Sequence, residues 1–338
     1  MPLRADFSKQ PPQKCGGCIY EERENDSKLH AKRRGRPAGP VEHRRDRHGL
    51  CPPVAGRLPH FSPEYTFVLE ERGKILGFTN GCTGDGIPKG DVRGYVSCVI
   101  LAPAADTPEN TGLLLTALED AFRKAGRQYS AVTFFNPIRL PWIIPGTPGH
   151  QHNNAPGIAL DLPLHDRMLA LGYQESTREC AMYLNLSDFE MPAWVAEKAE
   201  KMASSGYTVA RYDPEKHVGL EEMVAALGNS MWSAEIPAAG KSGMELLVGL
   251  EGNRCAGFTG PIYPEATGRG YFAGLGVAPQ FEGHGLGTLL FYRLLQREKE
   301  VGSQYMSLFT GEDNHARFIY LGAGFRIVRT FGVMLKEL

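Results

Sequence analysis

Residues able to bind an anion are concentrated near the C-terminus of this 338-residue chain. Three glycines at every second position, Gly283, Gly285 and Gly287, lie at the start of a segment in which leucines recur at helical spacing. The first N–H groups of a helix have no partner within the helix, and the helix dipole favours negative charge there. Glycines in that place let a phosphate group approach these N–H groups closely. The pattern therefore predicts a site for a phosphate-bearing ligand at residues 282–288.

The elements that must position this site are a strand before the glycines and a helix after them. Residues 271–277 are apolar and interrupted by glycine, as in a buried strand with a bulge, and Pro279 ends this run. Residues 283–300 have helical periodicity, with Gly302 as a stop signal. A further buried strand is predicted at residues 304–310.

Two common nucleotide sites do not fit this arrangement. A triphosphate-binding loop needs Gly-Lys-Ser/Thr, whereas Gly287 is followed directly by Thr288. A dinucleotide fingerprint needs its glycines directly after the strand, a third glycine where Thr288 stands, and more chain than the roughly fifty residues that remain.

The glycine segment instead resembles a known family. Gln280-x-x-Gly283-x-Gly285 is similar to the Gln/Arg-x-x-Gly-x-Gly/Ala signature of the GNAT superfamily of acyl-CoA-dependent N-acyltransferases. Downstream, the run from Asn314 to Phe325 resembles the superfamily's Asn-x-Ala, Tyr and Gly-Phe segment. The two matches stand in the family's order and are separated by one strand, so together they make the resemblance specific.

The resemblance implies an α/β fold with a mixed, mostly antiparallel sheet whose two central parallel strands splay apart, flanked by helices. It implies acetyl-CoA as cosubstrate, with pantetheine between the strands and the pyrophosphate on the glycine turn, and no metal. The cofactor-binding residues expected on this basis are Leu275, Gly276, Val277, Gln280, Glu282, Gly283, His284, Gly285, Leu286, Gly287, Thr288 and Asn314.

The catalytic roles implied by the resemblance fall on three residues. The N–H group of Val277 would polarise the thioester carbonyl. Tyr320 would protonate the leaving thiolate, because a phenol with a pKa of about 10 can serve a thiol with a pKa of about 8.5. The family pattern fails for the base, since Gly270-Tyr271 stands where many relatives have a glutamate. We assign Glu245, with Glu235 in a loop after Trp232 as the alternative.

An internal repeat predicts two similar lobes. Gly112-Leu113-Leu114 matches Gly287-Thr288-Leu289 at an offset of 175, and Gln128-Tyr129 matches Gln304-Tyr305 at 176. The chain therefore resembles tandem GNAT proteins of the mycothiol synthase type. We expect a basic tail at residues 1–60, a degenerate GNAT-like lobe at 61–190 and a catalytic GNAT lobe at 191–338.

The two lobes differ in their chemistry. Where the second lobe has the glycine turn, the first has residues 104–110 without glycine, and Met168 stands where the second lobe has Tyr320. The first lobe is expected to be a structural or substrate-shaping partner. It also carries an insertion at 137–164, in which His150 and His152 are either metal ligands or, as we favour, part of a proline-fixed loop packed by Trp142.

The tail has thirteen Lys/Arg against seven Asp/Glu, and we expect it to be poorly ordered. Two sharper alternatives are a zinc site formed by Cys15, Cys18, His48 and Cys51, and an AT-hook-like DNA contact at residues 32–37. A solvated tail, or a misassigned translation start, is the favoured interpretation.

Composition limits the remaining possibilities. The formal net charge of −1 excludes binding of nucleic acid or membrane by bulk charge. The absence of an apolar leader, and seven scattered cysteines, predict a cytoplasmic protein with reduced thiols. Overall the sequence predicts an N-acetyltransferase acting on the primary amine of a small molecule. The alternatives are a non-catalytic acyl-CoA sensor and a DNA-associated protein that uses the tail.

Overall fold

The computed structural model describes residues 30–33, 62–132, 142–152 and 154–338. Its α-helices are Pro108–Lys124 (α1), Pro163–Ala170 (α2), Trp194–Ser204 (α3), Leu220–Ala226 (α4), Ser230–Lys241 (α5), Leu286–Glu300 (α6) and Ala316–Gly322 (α7). Its strands are His30–Arg33 (β1), Thr66–Glu71 (β2), Lys74–Cys82 (β3), Arg93–Leu101 (β4), Tyr129–Val132 (β5), Trp142–Ile143 (β6), Gln151–His152 (β7), Ile158–Ala159 (β8), Gln174–Asn185 (β9), Tyr207–Arg211 (β10), Leu247–Glu251 (β11), Arg254–Thr259 (β12), Leu275–Val277 (β13), Tyr305–Gly311 (β14) and Arg326–Glu337 (β15).

The strands form two main sheets and a hairpin. The larger sheet has the order β1-β2-β3-β4-β5-β15-β9-β14, with β8 also paired to β15, and the smaller has the order β10-β11-β12-β13. Strands β6 and β7 form a separate hairpin. Within the larger sheet β4 and β5 are parallel, whereas β5–β15, β15–β9 and β9–β14 are antiparallel.

The two halves of the chain exchange their last strands. Strand β9 ends the first half, but its second part pairs with the whole of β14 of the second half, from Tyr305↔Asn185 to Gly311↔Glu179. Strand β15 ends the chain but pairs with β5 of the first half, and β9 and β15 also pair with each other. The predicted fold of two GNAT-like lobes with a mixed sheet is confirmed, and each lobe is completed by the last strand of the other.

Helix α1 of the first lobe and helix α6 of the second each pack on the strands of their own lobe through residues at helical spacing. In α1 these are Leu114, Leu115, Leu118 and Phe122, and in α6 Leu286, Leu289, Leu290, Phe291 and Leu294, all buried. The largest apolar cluster surrounds α6 and joins it to α3, α4, α5 and the smaller sheet. The second lobe thus holds the larger core.

Three predicted elements differ from the observed ones. Helix α6 begins at Leu286 rather than at residue 283, because Gly283 and Gly285 have φ angles of 81° and 84°, outside the helical region. The strand before it is regular only over Leu275–Val277. Glu235 lies in helix α5 and not in a loop; Pro237 and Gly240 obscured that helix in the sequence.

Some predictions fall outside the described residues. The proposed zinc ligands and residues 34–37 of the DNA-contact motif lie there, whereas residues 32 and 33 belong to β1, the edge strand that pairs with β2. In the described part of the chain, no helix has the length and apolarity that a membrane span requires. The same residues contain no group of three or more His, Cys, Asp or Glu side chains arranged to hold a metal.

Candidate active site

The glycine turn leads directly into the N-terminus of α6. A 3-10 turn, Pro279–Phe281, is followed by the exposed residues Glu282, Gly283 and His284. Gly285 is the N-cap residue, and its carbonyl accepts the N–H of Leu289 at 3.2 Å. The N–H groups of residues 286–288 therefore have no acceptor within the helix. These N–H groups of residues 286–288 are the ones available to an anion, while the predicted Gln280 lies one turn earlier with an exposed side chain.

A cation that the sequence analysis missed lies against this turn. A Cβ atom built on Gly285 would meet the Nζ atom of Lys198 at 2.5 Å and its Cε atom at 2.6 Å. Lys198 belongs to α3, which is anchored in the core by Val195 and Met202. Within the described residues Lys198 forms no ion pair, so its ammonium adds positive charge to the helix N-terminus without a counterion. No local sequence signal marks it, since packing alone brings α3 to the turn.

The turn is also fixed from the side of the smaller sheet. The ring of His284 stacks on Tyr207 of β10 with a centroid distance of 4.4 Å. The Tyr207 hydroxyl group in turn donates to Glu251 Oε1 at 2.9 Å. His284 is thereby held beside the expected pyrophosphate position.

Strands β13 and β14 separate after one point of contact. The parallel bridge Arg269↔Tyr305 joins the segment that precedes β13 to the first residue of β14, and the N–H of Gly270 donates to the Tyr305 carbonyl at 2.8 Å. The next cleft-facing carbonyl of β14, that of Ser307, instead accepts from Arg269 Nε at 3.2 Å and Nη2 at 2.8 Å. The buried Arg269 guanidinium thus lies at the end of the cleft where β13 and β14 begin to separate.

Backbone groups of β13 face this cleft. The N–H of Ala278 donates to Ala256 of β12 at 2.9 Å. Because N–H directions alternate along a strand, those of Val277 and Leu275 point to the other edge, toward β14. The structure therefore brings Leu275 and Val277 to the cleft as predicted, whereas the N–H of Gly276 faces β12.

Helix α5 holds the irregular segment that precedes β13. Trp232 Nε1 donates to the Ala273 carbonyl at 2.9 Å, and Thr259 Oγ1 donates to the Gly274 carbonyl at 3.0 Å. A Cβ atom on Gly274 would lie 2.4 Å from the Trp232 ring, so only glycine fits. These bonds replace the sheet pairing that the bulge gives up.

The predicted acid, Tyr320, lies on the α6 side of the sheet. Its side chain is buried against the rings of Phe272, Phe291 and Phe325. Burial raises the pKa of Tyr320 to about 12, so it keeps its proton at neutral pH. Asn314 is exposed, and its Oδ1 atom accepts the N–H of Ala316 at 2.9 Å at the start of α7.

The two candidate bases have different surroundings. Glu245 makes a two-pronged ion pair with Arg297 at 2.7 and 3.0 Å, which holds the pKa of its carboxyl group below the usual range. Arg297 is in the last turn of α6, at the far end from the glycine turn. Glu235 Oε1 accepts a hydrogen bond from the Tyr271 hydroxyl group, with 2.5 Å between the two oxygen atoms. Burial and this hydrogen bond raise the pKa of Tyr271, so Glu235 and Tyr271 form a pair beside the bulge.

A buried acid in α6 was also missed. Ser303 donates to Glu298 Oε2 at 2.5 Å, and Oε1 has no partner among the described residues. Burial raises the pKa of Glu298 to about 7. The internal repeat contained a signal for this acid. Arg93-Gly94-Tyr95 recurs as Arg269-Gly270-Tyr271 at an offset of 176, and the same offset aligns Phe122 of the first lobe with Glu298 of the second.

Comparison with known proteins agrees with this geometry. Residues 220–325 match the model of the Acetyltransferase (GNAT) family. A comparison with curated protein sequences gives no match.

Three solved structures with a similar fold are distant in sequence. One holds a GCN5-related glucosamine N-acetyltransferase region of a fungal multi-domain GH3 β-N-acetylglucosaminidase, at 16% identity and a TM-score of 0.55; the match covers 81% of this chain and 34% of that one, so this chain spans about a third of its length. A tandem GNAT protein from the clavulanic acid biosynthesis pathway has 17% identity and a TM-score of 0.50, covering 82% and 84% of the two chains. A GCN5-related N-acetyltransferase from Sphaerobacter thermophilus has 14% identity and a TM-score of 0.52, covering 80% of each. Residues 220–325 thus match the GNAT acetyltransferase family, and the chain has the fold of tandem GNAT proteins.

Proposed function

We propose that this protein transfers an acetyl group from acetyl-CoA directly to the primary amine of a small molecule, in the cleft between β13 and β14. The observation that carries the proposal is the continuity of the site. The unpaired edge of β13 leads into the glycine turn at the start of α6, Lys198 lies against that turn, and Tyr320 packs on Phe272, three residues before β13.

Each part of the cofactor meets a group of matching chemistry. The N–H groups of residues 286–288 and Lys198 Nζ would hold the pyrophosphate. The cleft-facing backbone of Leu275 and Val277 would pair with the amide groups of pantetheine, as an added strand would. Asn314 would contact the cofactor only if it gave up its cap on α7. Acetyl-CoA supplies the activated acyl group.

The protein groups divide the transfer into three tasks. The N–H of Val277 would donate to the thioester oxygen, on which negative charge grows as the amine attacks. As the C–N bond forms and the C–S bond breaks, the Tyr320 hydroxyl group would donate to the leaving sulfur. Because the pKa of Tyr320 is about 12, we expect Tyr320 to stabilise the thiolate by a strong hydrogen bond rather than to transfer its proton fully.

The acceptor ammonium must first lose a proton. We propose Glu235 for this step, with Tyr271 as the residue that positions it, because their hydrogen bond lies beside the bulge at the cleft. Glu245 is less suitable because both of its carboxylate oxygens accept from Arg297. A small-molecule acceptor is supported by the glucosamine N-acetyltransferase region named for one structure of similar fold. We further propose a cytoplasmic location.

Cofactor binding tests the site itself. Gly287 has ordinary helical geometry, and a Cβ atom there would make only normal contacts, at 3.7 Å or more, so Gly287→Glu adds a carboxylate to the helix N-terminus without strain. We expect calorimetry to show acetyl-CoA binding by the wild type and a loss of at least about 100-fold in this variant, by repulsion of the pyrophosphate. The matched control is Gly112→Glu in α1, where a Cβ atom would make one ordinary contact, at 3.6 Å. Equal losses in both variants, or no binding by the wild type, would refute the site.

Turnover tests the enzyme. With a panel of primary amines, the wild type should release thiol from acetyl-CoA, and Tyr320→Phe should lower kcat by about 100-fold with acetyl-CoA binding unchanged. Phenylalanine keeps the ring packing against Phe291, so the fold should persist. Binding without turnover on any amine would favour an acyl-CoA sensor, and an unchanged kcat would remove Tyr320 from the mechanism.

A further inference from the structure

The cleft has one face that the cofactor-binding helix does not cover. In β14, Met306 and Leu308 belong to the core around α6, so the alternating residues Tyr305, Ser307 and Phe309 project to the opposite face. In β13, a Cβ atom on Gly276 would point at Leu227, next to α5, and not toward α6. Helix α5 and these side chains of β14 therefore lie on the same face, on the two sides of the cleft; Tyr305 and Ser307 are buried there, and Phe309 is half-buried.

Two aromatic side chains lie on the two sides of this cleft, beyond the point where its walls meet. The parallel bridge Arg269↔Tyr305 marks that point, and Ala273 and Phe309 follow it on the two segments. Trp232 of α5 bonds to Ala273 on one side. Phe309 of β14 lies on the other side, in a strand that has no pairing with β13.

The wall on the Phe309 side comes from the first lobe. The His152 ring of the β6–β7 hairpin stacks on Phe309 with a centroid distance of 3.9 Å, and Trp142 stacks on His152 at 5.4 Å. The hairpin is fixed there because the Tyr305 hydroxyl group donates to the Gln151 carbonyl at 2.7 Å and accepts the Gln151 N–H at 3.0 Å. His150 and His152 thus serve packing, as the sequence analysis favoured, but they pack on the second lobe.

The wall on the α5 side combines rings with one carboxylate. Tyr263 stacks on Tyr271 at 4.7 Å with an interplanar angle of 13°, and Tyr271 donates to Glu235. Trp232, Tyr263 and Tyr271 are all half-buried, so part of each ring is accessible. The other carboxylate nearby, Glu265, is paired with Arg269 at 2.7 Å, which leaves Glu235 as the one described acid of this wall without a cation partner.

We propose that the acceptor enters between the β6–β7 hairpin of the first lobe and helix α5 of the second, and that it is a primary amine on a flat, apolar body. This inference rests on the function proposed above. Ring faces on both walls favour a planar body by stacking, and a single free carboxylate suits a single ammonium group. A polyamine would need a second acid, and a sugar ring, which is not planar, would stack less well on these aromatic rings.

The test compares acceptors at one saturating acetyl-CoA concentration. We expect kcat/KM for phenethylamine to exceed those for glucosamine and putrescine by at least 10-fold. Tyr263→Leu should raise the KM for phenethylamine about 3- to 10-fold, the effect of losing one ring contact, and should raise the KM for putrescine less. His152 is itself fully buried, so His152→Leu should raise the KM for phenethylamine by a similar factor through loss of the support that holds the Phe309 ring in place. The matched control is Tyr129→Leu, at the repeat-equivalent position of Tyr305 in the first lobe, for which no change is expected.

Calorimetry with acetyl-CoA and thermal unfolding on every variant separate the possible failures. Absence of acetyl-CoA binding in the wild type would overturn the proposed function and this inference together. Normal acetyl-CoA binding and turnover with equal or better use of glucosamine or putrescine would overturn this inference alone. An unchanged KM in His152→Leu would remove the hairpin from the acceptor site.

Discussion

Glu298 shows how one residue can distinguish two lobes of the same fold. In the first lobe, a Cβ atom on Gly94 would meet the Phe122 ring at 2.2 Å, and in the second a Cβ atom on Gly270 would meet Glu298 Oε2 at 2.7 Å. Both side chains are fully buried beneath the parallel strand junction. The fold therefore accepts an apolar ring in this place, and the carboxyl group is not a requirement of packing.

This acid should make stability depend on pH. Its pKa rises from the usual 4.5 to about 7, so the folded state binds the proton more tightly than the unfolded state. Stabilisation from this group is full below about pH 4.5 and is lost as the pH rises to about 7. The groups that face Glu298 are Ser303, the Tyr263 backbone, Arg269 and Glu245.

We expect Glu298→Gln to remove that dependence. Urea unfolding between pH 5 and pH 8 should show that the free energy of unfolding falls with pH more steeply in the wild type, by up to about 3 kcal/mol over the range. All other titrating groups are common to both proteins, so the difference isolates Glu298. Parallel curves would contradict the assignment.

At the scale of elements, helices of the second lobe bring distant residues to one cleft. Helix α5 is capped by Asn229, whose side chain accepts the N–H groups of Met231 and Trp232 at 3.0 and 3.3 Å. It carries both Trp232 and Glu235 to the bulge. Helix α3, which links the lobes, carries Lys198 to the glycine turn.

The position of α3 leads to a test with two cosubstrates. Lys198→Met keeps the aliphatic length of the side chain and removes its charge, so the KM for acetyl-CoA should rise about 5- to 10-fold. The KM for acetyl-pantetheine, which lacks the pyrophosphate, should not change. Lys201→Met, one turn along the same helix, is the control. A similar effect on both cosubstrates would mean that Lys198 acts on the fold and not on phosphate.

At the scale of the whole molecule, the strand exchange makes the two lobes dependent on each other. Strand β9 pairs with β14 and β15, and β15 pairs with β5, so the central sheet crosses from one lobe to the other. A lobe expressed alone would expose unpaired strand edges.

Separation of the lobes should therefore fail. We expect a chain carrying a protease site between residues 190 and 191 to remain associated after cleavage on gel filtration, and to unfold in a single transition. Residues 191–338 expressed alone should be insoluble or lack cooperative unfolding. A soluble, cooperatively folding fragment that binds acetyl-CoA would show that the second lobe does not need β9.

The sequence by itself determined the features that depend on neighbouring residues. Helical spacing and paired glycines predicted α6 and its anion site, and the repeat predicted two lobes, because local periodicity and backbone freedom are properties of short segments. Tyr320 and the cleft edge of β13 followed from the family resemblance.

Tertiary structure decided what depends on contacts between distant segments. The exchange of β9 and β15, the hairpin stacked on Phe309 and Lys198 beside Gly285 all join segments from dozens to well over a hundred residues apart. It also distinguished the two acids, since Glu245 and Glu235 look alike in sequence and only their partners, Arg297 and Tyr271, separate them. Such pairings are selected by packing of the whole core, for which no local pattern exists.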